Sequence, residues 1–136
     1  MKDIAVSKAT MINEIDNAIG AHGMWKMRLN SAIKSGKCDE PSGQACRDDL
    51  CAFGKWLCGP SIDASTKAGM PFQVVKRVHA DFHKAAGSVL ANVERGDLAA
   101  ARTIVAGAYN EQTEKLVRAL MKWKRELADQ TRTATA

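Results

Sequence analysis

The chain carries three histidines and four cysteines in 136 residues. His79 and His83 stand four apart, so in a helix both imidazoles share one face with their backbones about 6 Å apart. Two imidazoles so placed can bind one metal ion, although the pair alone is a weak signal. His22 strengthens it. It falls in the run Ile12, Ile15, Ile19, His22, Trp25, Leu29 and Ile33, with steps of three or four residues, and so should face the buried side of a helix. His79 falls in an equivalent run, Phe72, Val75, His79, Phe82, Ala86, Val89 and Val93. A buried neutral imidazole needs a partner for each ring nitrogen, or it costs on the order of a few kcal/mol. One metal ion satisfies a nitrogen on every ring at once.

Structural zinc takes four ligands in a tetrahedron, from His, Cys and carboxylate. The segment Leu50-Cys51-Ala52-Phe53-Gly54-Lys55-Trp56-Leu57 offers Cys51 beside an expected apolar face of Leu50, Phe53 and Leu57. Three imidazoles and one thiolate would close the shell, which suits structure or sensing, whereas catalysis keeps a position open. The mixture fits zinc better than calcium or magnesium. Cys51 also fits a small buried hydrophobe, and Cys58, seven residues on, could share its face. Cys38 and Cys46 fall in a polar stretch and are weaker candidates. No CxxC pair occurs, which excludes a zinc ribbon or thioredoxin motif. Trp25, Trp56 and Trp123 read as core, and Asp81 or another carboxylate could hold a ligand's second nitrogen. A metal-dependent hydrolase would need an open position and a general base. No HExxH motif is present, so the chain reads as a non-enzyme. The competing reading is a metal-free helical interaction module with structural histidines.

The elements that must position these residues are helices. Strand-like alternation is absent, and Ala, Leu, Lys and Met are common. A first helix is expected from about Ser7 to Ser35, ended by Gly36. Lys37 to Arg47, with Pro41, Ser42 and Gly43, reads as a loop. Asp48 or Asp49 could cap a short helix, Asp49 to Cys58, stopped by Gly59-Pro60. A second loop should reach Gly69. A third helix starts near Pro71 and ends at Gly96. Asp97 caps a fourth, with Leu98, Ala101, Val105, Ala108, Gln112, Leu116, Leu120, Trp123 and Leu127 inward. Short connections make neighbouring helices antiparallel. The expectation is an all-α, antiparallel four-helix bundle, one short helix carrying the cysteine ligand. It forms a single domain over residues 1–130, with a frayed tail over 131–136.

Bulk properties agree. The length suits one domain with a real core. No run of about 18 apolar residues exists, so a membrane span is not expected. The N-terminus lacks a signal-peptide apolar core, which makes the cytoplasm the default. The net charge of +5 is modest. Its denser patch, Lys115, Arg118, Lys122, Lys124 and Arg125, lacks aromatic interleaving and reads as a solvated face rather than a nucleic-acid surface.

Three segments, Ala21-His22-Gly23-Met24-Trp25-Lys26, Cys51-Ala52-Phe53-Gly54-Lys55-Trp56-Leu57 and His79-Ala80-Asp81-Phe82-His83, closely resemble the chemoreceptor zinc-binding domain family in order and separation. That pattern is a helix-one His followed by an aromatic, then Cys-x-Phe-Gly-Lys/Arg-Trp, then HxxxH. The resemblance spans roughly Ile12 to Leu127. It implies a four-helix bundle with one zinc ion per chain, held by position through His22, Cys51, His79 and His83. It also implies a sensory role beside bacterial chemoreceptor signalling regions or diguanylate cyclase domains. Output there changes with zinc occupancy or with oxidation of the cysteine, here Cys51. Several such domains are homodimers. The sequence departs from the family in carrying no signalling coiled coil or cyclase domain, so the expectation is a standalone sensor acting in trans, a zinc-binding protein with no signalling role, or an excised domain. Cys38, Cys46 and Cys58 lie outside the family pattern.

Overall fold

The structure is a computed structural model that describes the backbone of residues 2–38 and 40–135 and the side chains of 8–38 and 40–130. Its elements are all helical, with no strand among the described residues. Helix α1 spans Lys2–Ser35, α2 Ser42–Ala45, α3 Ala52–Cys58, α4 Ala64–Ala68 and α5 Met70–Glu94. Helix α6, Leu98–Ile104, passes through a wide π turn at Val105–Tyr109 into α7, Asn110–Thr135. Helix α1 thus starts earlier than the expected Ser7, and α2 and α4 lie in the two stretches expected to be loops. The expected frayed tail, 131–136, lies outside the described side chains.

Local chemistry accounts for the boundaries. Gly36 and Gly96 adopt φ of +73° and +81°, the left-handed geometry that ends a helix and suits glycine. The Asp97 carboxylate accepts the Ala100 N–H at 3.0 Å and caps α6. Neither Asp48 nor Asp49 caps α3. That role falls to Cys51, whose sulfur accepts the Gly54 N–H at 3.3 Å. Leu50 therefore precedes the helix and is exposed, and the expected apolar face shrinks to Phe53 and Leu57.

The long helices are held by one continuous core. The buried seam of α1 is Met11, Ile15, Ala18, His22, Trp25, Leu29, Ala32 and Ile33, while Ile12 and Ile19 only flank it. Every residue of the expected α5 stripe is buried. The last helix departs from its expected stripe at one position. Ala101 and Val105 face the core, but then Tyr109 does, not Ala108, which is exposed. The seam steps by four residues across the π turn, from Val105 to Tyr109, where a step of three was expected. Leu116, Leu120, Trp123 and Leu127 then continue inward.

Cross-helix contacts give the directions. Phe72 meets Trp123 at 6.0 Å and Phe82 meets Tyr109 at 5.4 Å between ring centroids, so α5 and α7 are antiparallel. Lys124 pairs with Asp16 at 2.7 Å, while Lys26 and Lys34 lie near Arg102, so α1 also opposes the last helix. His22 lies against His79, and Trp25 against His83, so α1 and α5 run parallel. The connection between them descends in pieces. Ser42 bonds to Glu94, Cys46 lies on Gly87, and Phe53 packs on His79.

Gly87 lets α2 approach. A Cβ there would stand 2.5 Å from the Cys46 Cβ and 2.9 Å from its Cα, and backbone cannot step aside as a side-chain end can. Gly87→Ala should therefore lower stability by about 1–3 kcal/mol in urea unfolding. Gly20→Ala, in open space on α1, should instead stabilise by about 0.5–1 kcal/mol.

Candidate metal centre

The structure brings together all four residues singled out by the sequence. One ligand atom from each of His22, Cys51, His79 and His83 lies within 4.8 Å of all the others. Helix α1 delivers His22, α5 delivers His79 and His83 one turn apart, and Cys51 enters from the crossover at the start of α3. The His22 Nε2 is 3.0 Å from that of His79 and 3.3 Å from that of His83. The Cys51 sulfur is 3.3 Å from the His79 Nε2 and 4.0 Å from the His22 Nε2. Ordinary zinc–nitrogen and zinc–sulfur bonds in a tetrahedron set such separations at about 3.3–3.6 Å. The donor set fits zinc in number, and the four distances, from 3.0 to 4.0 Å, bracket that range.

The backbone determines which imidazole nitrogens carry hydrogen. His22 Nδ1 donates to the Ala18 carbonyl at 2.7 Å, and His83 Nδ1 donates to the Ala45 carbonyl at 3.0 Å. Carbonyl oxygens only accept, so both protons sit on Nδ1. The two Nε2 lone pairs then face each other at 3.3 Å with no proton between them, which is unfavourable unless a cation takes their place. Burial also disfavours protonation. It pulls His22 down to about 4 against the pull of the Ala18 carbonyl. It pulls His79 to about 2, with the positive charges His83 and His22 would carry adding to the effect. His83 is lowered by burial, opposed by the Ala45 carbonyl and by Asp48 and Glu40. Imidazoles kept neutral, with the Nε2 lone pairs of His22 and His83 turned inward, are what a metal requires.

Backbone carbonyls, not Asp81 or another carboxylate, hold the second nitrogens of His22 and His83. His79 Nδ1 is buried with no partner. Burial pushes the Cys51 thiol up, while the N–H groups of Gly54 and Phe53 oppose the shift. Cys51 is half-buried, whereas His22, His79 and His83 are buried. The thiol is therefore the side of the cluster nearest solvent. The other three cysteines stay outside the cluster. Cys38 donates to the Leu90 carbonyl at 3.5 Å, Cys46 donates to Gly43, and Cys58 is exposed.

Aromatic rings enclose the cluster. Phe82 lies 5.1 Å from His22, Phe53 5.1 Å from His79 and Trp25 5.9 Å from His83. The Arg28 guanidinium covers the Trp25 ring at 3.9 Å and pairs with Glu40 at 2.7 Å. Two glycines are part of this construction. A Cβ on Gly54 would stand 1.6 Å from the Asp48 carbonyl oxygen, so only glycine lets the chain double back and point Cys51 inward. Gly87, one turn beyond His83, admits α2 and with it the Ala45 carbonyl. Both glycines interrupt helical patterns, which is the sequence signal of close backbone approach.

Because the folded-state pKa values of His22 and His79 lie below the ordinary value of 6.5, the unfolded chain binds more protons in acid. Stability of the metal-free chain is then fully present above about pH 6.5 and falls as pH drops through about 4. Thermal melts of metal-free protein across that window should show a steadily falling midpoint. A midpoint that rises in acid would contradict buried neutral imidazoles.

The family model described as the chemoreceptor zinc-binding domain matches residues 22–90, half of the chain, and that span contains all four clustered residues. No curated protein and no solved structure matches the chain. The family match and the His3Cys cluster together identify one zinc ion as the cofactor, and the chain belongs to the chemoreceptor zinc-binding domain family.

Proposed function

We propose that this chain is a regulatory zinc sensor whose ligands are His22, Cys51, His79 and His83. The facing Nε2 lone pairs of His22 and His83, each fixed by a backbone carbonyl on its other nitrogen, carry this reading. The closed set of three nitrogens and one sulfur favours sensing over catalysis, so the chain is read as a non-enzyme. The crossover counts as the second member of an antiparallel four-helix bundle, and residues 1–130 act as one domain. No helix of the described residues is long and apolar enough to cross a membrane, which agrees with a cytoplasmic setting.

The four residues tie α1, the crossover and α5 to one point. Bound zinc supplies free energy that becomes stability of the bundle. A bundle tightened when these residues are engaged and loosened when they are not is a two-state element. Its output passes to a chemoreceptor or diguanylate cyclase partner in trans, with a second copy of the chain as a further partner. The half-buried Cys51 adds a redox input. Its sulfur can take one oxygen from hydrogen peroxide, giving sulfenic acid and water, and the oxidised side chain is a poorer ligand.

Metal content by mass spectrometry should give one zinc per chain. Cys51→Ala and His79→Ala should each weaken binding by more than about 100-fold, since outer-shell partners alone cost about 10–100-fold. Zinc should raise the melting temperature of the wild type without changing its helicity. Absence of zinc after incubation with the metal would leave the metal-free interaction module as the better reading. Hydrogen peroxide should release zinc from the wild type. Release from Cys51→Ser at the same rate would remove the redox input but leave the zinc reading intact.

A further inference from the structure

A groove of about 500 Å³ opens between the C-terminal half of α1 and the junction of α6 with the π turn. Lys26 and Lys34 of α1 converge there with Arg102 of α6 over Ile33, Val105 and Ala106. No carboxylate lines the groove, and none of these cations takes part in an ion pair among the described residues. The volume lies within the range of small-molecule sites, roughly 300–1,000 Å³. Lys34 stands in the last turn of α1, where the helix dipole alone favours a cation. Arg102 stands in the last turn of α6, but Lys26 in mid-helix has no such local reason. Lys26 and Lys34 are two turns apart, about 12 Å along the axis, which places a cation towards each end. Val105 also opens the π turn, and such turns occur frequently at functional sites.

We propose that this groove binds a small organic phosphate of nucleotide size. Its phosphates lie among Lys26, Lys34 and Arg102, and its flat apolar part lies on Ile33, Val105 and Ala106. Arginine and lysine make strong charge-assisted hydrogen bonds to phosphate oxygens, and the groove supplies no competing carboxylate. Lys26 follows His22 by one turn on α1, so the groove and the metal centre share a helix. The groove itself does not depend on the zinc-sensor reading, and its test reads binding alone.

The zinc-loaded chain is titrated with ADP, with pyrophosphate and with adenosine, followed by calorimetry and backbone NMR, and its zinc content is checked afterwards. ADP should saturate, with shifts concentrated over 26–34 and 102–106 and affinity falling as salt rises. Pyrophosphate and adenosine should each bind at least about tenfold more weakly. The double variant Lys34→Ala, Arg102→Ala changes two exposed side chains and should keep its helicity and zinc content. It should lose at least about tenfold in ADP affinity. No saturation in the millimolar range, pyrophosphate binding as tightly as ADP, or unchanged affinity in the variant would overturn the proposal. Binding to anionic lipid vesicles without binding to ADP would also overturn it, in favour of a membrane surface.

Discussion

Three neutral imidazoles aimed at one another in a dry interior are the constraint on which the rest of this bundle depends. The Nε2 lone pairs of His22 and His83 face each other at 3.3 Å, and burial disfavours the extra proton that could relieve them. Two of the three rings are gripped from behind by a backbone carbonyl. For His22 the grip is a carbonyl one turn earlier on its own helix, and for His83 it is a carbonyl from the crossover. His79 has no such grip on Nδ1 and is held by the rings packed around it.

The crossover is built to serve this point. A single long helix between α1 and α5 would present one continuous face. Three short helices instead let the chain reach the centre from two directions. Helix α2 brings the Ala45 carbonyl to His83, and the start of α3 brings the Cys51 sulfur to His22 and His79. Both approaches pass closer to another backbone than a Cβ would allow, at Gly87 and Gly54. The thiol at a helix N-terminus also meets two N–H groups that favour thiolate, which partly offsets the cost of its burial.

The long helices carry the remaining stability. The rings of Phe72, Phe82, Tyr109 and Trp123 join α5 to α7, and Trp56 links α3 to the same cluster through Trp123. The metal centre is therefore continuous with the core rather than set on a surface. A change in how the four side chains are engaged bears directly on packing between α1, the crossover and α5.

The sequence by itself determined the helical class, the inward faces of α1 and α5, the glycine stops at Gly36 and Gly96 and the three histidines of the cluster, while the choice of Cys51 came from the resemblance to the family. These are local properties. A three-four repeat sets a face, a positive φ selects glycine, and the only three histidines stood in or beside such faces. What the sequence left open depended on contacts between segments distant along the chain. The carbonyls of Ala18 and Ala45 have no side-chain signature, so only the tertiary structure showed them in the place expected of Asp81 or another carboxylate. The capping role of Cys51 follows from where the chain doubles back over Gly54, and a survey of capping residue types points instead to Asp48 or Asp49. In the last helix one position differed, Tyr109 in place of Ala108, and it lies in the π turn, where its ring packs against Phe82. The groove with Lys26, Lys34 and Arg102 joins residues from opposite halves of the chain, and no pattern within either helix announces it.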